Sequence, residues 1–355
     1  MMKNLYTRNL TAGLLMTGVL FAGVGVEASA GEVNLMTWEG YADDSFIKEF
    51  EASSGCEVTA TYVGSNDDFA PKLSAGGGVY DLISPSIDTA PVLIRAGLVE
   101  AVDLSKVGRY DEIYAKFRNS PGIHKDGATY GVPFSWGSIP FMYRTDKIST
   151  PPSSLKTLFS DEFKGKISLW DDKSAIFVAS RVLGNMNIYS LSDEQLEAAK
   201  NKLIEQKPLV RKYWSTAGEL VDLYTNGEVW ISNTWGGYQS ALLAEQNIPV
   251  EEFIPDEGAE GWMDSWMIVK DSPNQECVYK FINMAISELG QCGMSNVNGY
   301  SSTNEVAAKN CMSSQQFTDL HQDDPDYLDS LLLWTDLGDR FGAYTTTWNA
   351  VKAAN

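Results

Sequence analysis

The sequence predicts an α/β protein of two lobes, each a mostly parallel sheet flanked by helices. Three observations carry this. Residues 33–84 alternate strand, helix, strand, helix, strand, the run that builds a parallel sheet covered on both faces. A second alternation with its own elements extends from about Trp136 to Gly261. The 325 residues from Gly31 to Asn355 exceed what one ordinary hydrophobic core organises.

Taken in order, the N-terminus reads as an export signal. Lys3 and Arg8 precede an apolar run from about Leu10 to Val26, and Ala28-Ser29-Ala30 supplies the small residues at which a signal peptidase cuts. Secretion with cleavage after Ala30 is expected. Four glycines interrupt the run, and neither a basic stop-transfer cluster nor a lipid-accepting Cys follows, which argues against a membrane anchor. Val33 to Trp38 is the first strand. From Asp43 to Ser54, Phe46, Ile47 and Phe50 share one helical face, and Gly55 ends the helix. Glu57 to Tyr62 is the second strand. Ser65, followed by Asp68 three residues on, caps a helix toward Leu73; Gly76-Gly77-Gly78 breaks it before the strand Tyr80 to Ser84. In the second lobe, Lys166 to Trp170 and Val229 to Asn233 read as strands and Leu191 to Glu205 as a helix. Ligands of such sheets bind at the carboxyl ends of the strands. Trp38 and Tyr41, Ser84 to Ser86, Asp171-Asp172 and Trp235 all stand there.

Charge and cysteine usage narrow the partners. Beyond Ala30 the chain has 25 basic and 46 acidic side chains, a net charge of −21, which excludes nucleic acid and favours small cations. Cys56, Cys277, Cys292 and Cys311 allow three complete disulfide pairings in an oxidising compartment. A Cys292–Cys311 bridge would pin the polar segment around Tyr300, and Cys56 reads equally well as a buried free thiol. No Cys or His spacing suggests zinc, His124 and His321 lie far apart, and Pro325 breaks the calcium-loop spacing of Asp323-Asp324-Pro325-Asp326, read as a solvated turn. No metal or cofactor is expected.

Trp262-Met263-Asp264 sets an aromatic ring and a carboxylate two residues apart, on one face of an extended strand. Ring quadrupole and anion together hold an organic ammonium ion that has lost its water. A packed Trp beside a capping or solvated Asp has the same spacing, so the rest of the chain decides.

Trp38-Glu39-Gly40-Tyr41, Tyr80 to Ser86, Val132 to Gly137, Asp171-Asp172, Asn233 to Gly236, Trp262 to Ser265 and Gly299-Tyr300 share their order and similar spacing with one family. In this the chain resembles the bacterial periplasmic spermidine/putrescine-binding proteins, receptors of ATP-driven ABC importers. The resemblance implies two lobes joined by crossing strands, about 31–136 with 264–308 and about 137–263 with 309–355, a ligand cleft between them, a periplasmic monomer, and two partners, a small cationic amine and an inner-membrane permease. It further implies that Trp38 and Tyr41 with Ser86 form one wall and Trp235 and Trp262 the other. Asp264 would take an ammonium, Asp172 a terminal amine, and Tyr300 would close the end of the cleft. Trp136 stands between core and site, and Trp266 reads as core.

Departures from the family pattern bear on the ligand. A second acid after Asp172 is replaced by Ala175, the acid of the first motif falls at Glu39 with Gly40 where the family has one, and Asp88 stands where an aromatic is common. Thr335 is nearest to a late glutamine. With Asp172 and Asp264 as the pair of anchors a diamine such as putrescine fits, and a spermidine-like triamine needs Asp88 or Glu39 as well. An ω-amino acid or betaine would require a cationic partner, for which Arg144 and Lys173 are nearest. An enzyme is not expected: there is no Gly-x-Ser-x-Gly elbow, and only a carboxylate-based hydrolase would suit the acids present.

Overall fold

The structure is a computed structural model that describes residues 31–324 and 326–354. The expected export signal, residues 1–30, lies outside the described residues, as does Pro325 of the acidic run. The strands are β1 (Gly31–Thr37), β2 (Cys56–Tyr62), β3 (Leu82–Ile83), β4 (His124–Lys125), β5 (Ala128–Thr129), β6 (Gly131–Ile139) and β7 (Phe141–Arg144). They continue with β8 (Ile167–Trp170), β9 (Val210–Trp214), β10 (Ile231–Asn233), β11 (Val250–Phe253), β12 (Glu260–Ile268), β13 (Ser301–Ser302) and β14 (Leu332–Leu333). Two sheets result. The larger runs β13-β6-β12-β3-β1-β2 with β14 also against β12, and the smaller runs β11-β7-β10-β8-β9. Each is parallel through its strand-helix-strand half (β2-β1-β3; β10-β8-β9); β6 and β12 in one and β7 and β11 in the other bring in antiparallel pairs, while β14 runs parallel to β12.

Local chemistry sets the element ends. Asp43 accepts from the Ser45 N–H to start the helix Asp44–Ser54, whose Phe46, Ile47 and Phe50 are buried, and Gly55 ends it at φ +69°, the left-handed region open to glycine. Ser65 caps a short 3₁₀ turn, Asn66–Asp68, before the helix Phe69–Gly76. Ser192 and Gln195 form a capping box on the helix Asp193–Gln206. Cys56 is not a free thiol. It is bonded to Cys277, tying the start of β2 to the helix Gln275–Ala285, and Cys292 is bonded to Cys311 across the segment that contains Tyr300.

β12 is in the larger sheet from Glu260 onward, and β14 pairs with it, although the boundaries read from the sequence assign Glu260 to Met263 and all of β14 to the second lobe. The helix Phe341–Ala353 does pack on the second lobe: Trp348 Nε1 donates to Asp171 at 2.9 Å and Lys207 to the Val351 carbonyl at 3.2 Å. No helix among the described residues is long and apolar enough to cross a membrane.

Candidate ligand-binding site

β12 is buried along its whole length, and its alternation sends successive side chains to opposite faces. Trp262 and Asp264 line one cavity, while Met263 between them lines another. A bulge between Asp264 and Ser265 shifts the pairing with β6, and Ser86 forms an isolated bridge to Asp264. Asp264 is thereby placed against the ends of other strands. Tyr41 Oη donates to its Oδ2 at 2.7 Å and Ser86 Oγ to its Oδ1 at 2.5 Å; Tyr41 also bonds Ser135. Ser86 is held in turn by Asn66, which accepts its backbone N–H at 3.1 Å. Burial pushes the Asp264 carboxyl up to about 7 against the opposing pull of Ser86 and Tyr41.

Rings complete the enclosure. Trp38 follows β1 and donates its Nε1 to the Ser84 carbonyl at 2.9 Å; Trp262 donates to the Ser138 carbonyl at 3.1 Å. Trp38 meets Trp235 edge to face at 5.6 Å, and Trp262 meets Tyr300 at 4.8 Å. These contacts fix ring faces that are otherwise free to rotate. Gly40, at φ +86°, allows the turn between Trp38 and Tyr41, and a side chain there would collide with Asn298, which donates to the Glu39 carbonyl at 3.0 Å. Trp235 Nε1 is buried with no hydrogen-bond partner among the described residues. The cavity is about 20 Å³, close to the size of one water, so lobes that admit an organic molecule must part first.

Seven of the residues expected at the site, Trp38, Tyr41, Ser86, Trp235, Trp262, Asp264 and Tyr300, line this single cavity. Asp88 and Asp172 do not. Asp172 accepts from the Ser174 N–H at 2.8 Å and from Ser65 Oγ at 2.6 Å, and Asp88 pairs with Lys173 Nζ at 3.2 Å. Glu39 accepts the Ala217 N–H at 3.0 Å from across the cleft. Ala175 is buried in the helix Ser174–Val182, Trp136 donates to the Ser302 carbonyl, and Trp266 is fully buried against Phe134 and Phe281.

Three lining residues escaped the sequence reading: Ile139, Trp170 and Trp334. Trp170 stacks between Trp214 at 5.9 Å and Trp334 at 6.1 Å, and its Nε1 donates to the Gly64 carbonyl at 2.7 Å. Trp334 Nε1 donates to buried Glu260 at 2.6 Å; burial raises that carboxyl to about 8 although the indole pulls it down. Trp170 is the last residue of the strand read over Lys166 to Trp170, just before Asp171-Asp172, and Trp334 lies one residue before Thr335, the residue nearest to the family's late glutamine. Position at a strand end was the usable signal for Trp170.

Two α/β lobes with an aromatic cavity closed between them are the architecture of a two-lobe periplasmic binding protein. The chain belongs to the family of bacterial extracellular solute-binding proteins, whose model matches residues 45–327. It is 27% identical over 303 residues to the spermidine/putrescine-binding periplasmic protein of Escherichia coli (strain K12), covering 83% of this chain and 85% of that one. Among solved structures it is similar to the spermidine/putrescine ABC transporter substrate-binding protein PotD from Streptococcus pneumoniae, with a TM-score of 0.71, 22% identity, and coverage of 91% of this chain and 99% of that one. It is also similar to the binding protein MotA from A. tumefaciens B6 in complex with glucopine, with a TM-score of 0.76, 19% identity, and coverage of 90% and 99%. One fold thus serves ligands of different chemistry.

Proposed function

We propose that this protein is the periplasmic substrate-binding component of an ABC importer, capturing a small organic amine by lobe closure and presenting the closed form to an inner-membrane permease. It acts without chemical turnover. The observation that carries this reading is the buried Asp264 carboxylate, lining a cavity walled by tryptophan and tyrosine rings. A cation over a desolvated ring gains about 0.5–2 kcal/mol and a hydrogen bond to a charged group about 1.5–3 kcal/mol, so a few such contacts reach micromolar affinity. The polyamine ligands named for the E. coli relative support the amine class.

Other ligands fit less well. An ω-amino acid or betaine brings a carboxylate that needs a cation, yet Arg144 is bonded to Asp146 and to the Tyr224 carbonyl, and Lys173 to Asp67 and Asp88. Glycoside hydrolysis needs two carboxyl groups flanking the bond, and among the residues lining the cavity Asp264 is the one carboxylate. Thermal-shift measurements on the chain from Gly31 onward, against amines, ω-amino acids, betaines and neutral sugars, test the reading. An amine is expected to give the largest rise in Tm, since a ligand of the native state alone stabilises it; a rise with sugars and none with any amine would overturn it.

A further inference from the structure

Lys173 is a buried lysine that joins the two lobes. It follows β8 in the second lobe, and its Nζ lies 3.1 Å from Asp67 Oδ1 and 3.2 Å from Asp88 Oδ2, both on the first lobe. The Phe341 ring lies 5.2 Å below the same ammonium. Two carboxylates and a ring around one desolvated ammonium are what a terminal amine of a ligand would ask of its receptor.

We propose that Lys173 occupies with its own ammonium the acid cluster a second ligand amine would need, so that the ligand carries one cationic head and an apolar body. This rests on the amine-receptor reading above. The acids are accounted for one by one. Asp88 accepts from Lys173 and, at 3.3 Å, from Thr89; Asp67 accepts from Lys173 and, at 3.2 Å, from Thr345; Asp172 accepts from Ser65 and Ser174 and does not line the cavity; Glu260 accepts from the Trp334 indole. What remains at the cavity is a single carboxylate, Asp264, among five tryptophans and two tyrosines. Rings accept one cation and apolar surface equally well; they do not neutralise a second charge at the far end, and an enclosed ammonium without an acceptor is strongly disfavoured.

Isothermal titration of the chain from Gly31 onward decides the matter with ammonium ions matched in body. The monocations are n-butylammonium, n-hexylammonium, tetramethylammonium and choline; the dications are butane-1,4-diammonium and hexane-1,6-diammonium. The tightest monocation is expected to bind at least tenfold more tightly than the tightest dication. In Lys173→Met the preference is expected to swing at least tenfold toward a dication, whose second ammonium replaces the lost one, while Lys173→Arg keeps the original order. A dication that binds the unaltered protein as tightly as any monocation overturns the single-head inference and leaves the amine receptor standing. Binding by none of the six overturns both. If Lys173→Met does not fold, the comparison on the unaltered protein still decides.

Discussion

Asp264 is a carboxyl whose ionised form the fold makes costly. Burial raises it to about 7, with Tyr41 and Ser86 donating to it, Asp88 repelling it from nearby, and Tyr300 lining the same cavity. An ammonium ligand stays charged throughout this range and needs the ionised form, so protons compete with it. Amine affinity is therefore expected to be flat above about pH 7 and to fall roughly tenfold per pH unit below it, as read by calorimetry at pH 5, 6, 7 and 8. Folding stability runs the opposite way. The folded value lies above the ordinary carboxylate value, so the folded state holds the proton more tightly than the unfolded one; that stability is full below about pH 4 and lost as pH rises to about 7. The loss is on the order of 4 kcal/mol for Asp264 alone. Glu260, raised to about 8, has the same sign. Denaturant titrations of Asp264→Asn are expected to show a shallower decline over that interval than the unaltered protein.

At the scale of elements, the site depends on how β6 and β12 pair. Trp262 faces Gly137 in the register, and a Cβ at Gly137 would stand 2.9 Å from the indole Cζ2. Gly137→Ala is expected to push the ring into the cavity, weakening amine binding tenfold or more, while overpacking costs about 1–3 kcal/mol of stability. Titration calorimetry with chemical denaturation separates the two effects. Pairing also explains what could be read in advance. The caps at Asp43 and Ser65, the end at Gly55 and the shared face of Trp262 and Asp264 depend on neighbours within a few residues, so local spacing reveals them. Trp170 and Trp334 come together at 6.1 Å from opposite halves of the chain, and Cys56 meets Cys277 across 221 residues. Nothing within either local window encodes such meetings. The same limit applied to Lys173, which in sequence is one charge after an acidic pair and in space is the partner of Asp67 and Asp88.

Across the whole molecule, contacts between the lobes already hold the cleft shut. Trp170 reaches the Gly64 carbonyl, Ser65 reaches Asp172, Lys173 joins Asp67 and Asp88, and the Ala217 N–H reaches Glu39. A hinge that opens must give these up, and a ligand returns the free energy through the rings and Asp264. On the proposed reading, binding adds to these contacts in holding the lobes closed. The most direct test is calorimetry with the amine that gives the largest thermal shift, on the unaltered protein, Asp264→Asn and Trp262→Ala. Each substitution is predicted to weaken binding tenfold or more; unchanged affinity in both would contradict an ammonium held between these rings and this carboxylate.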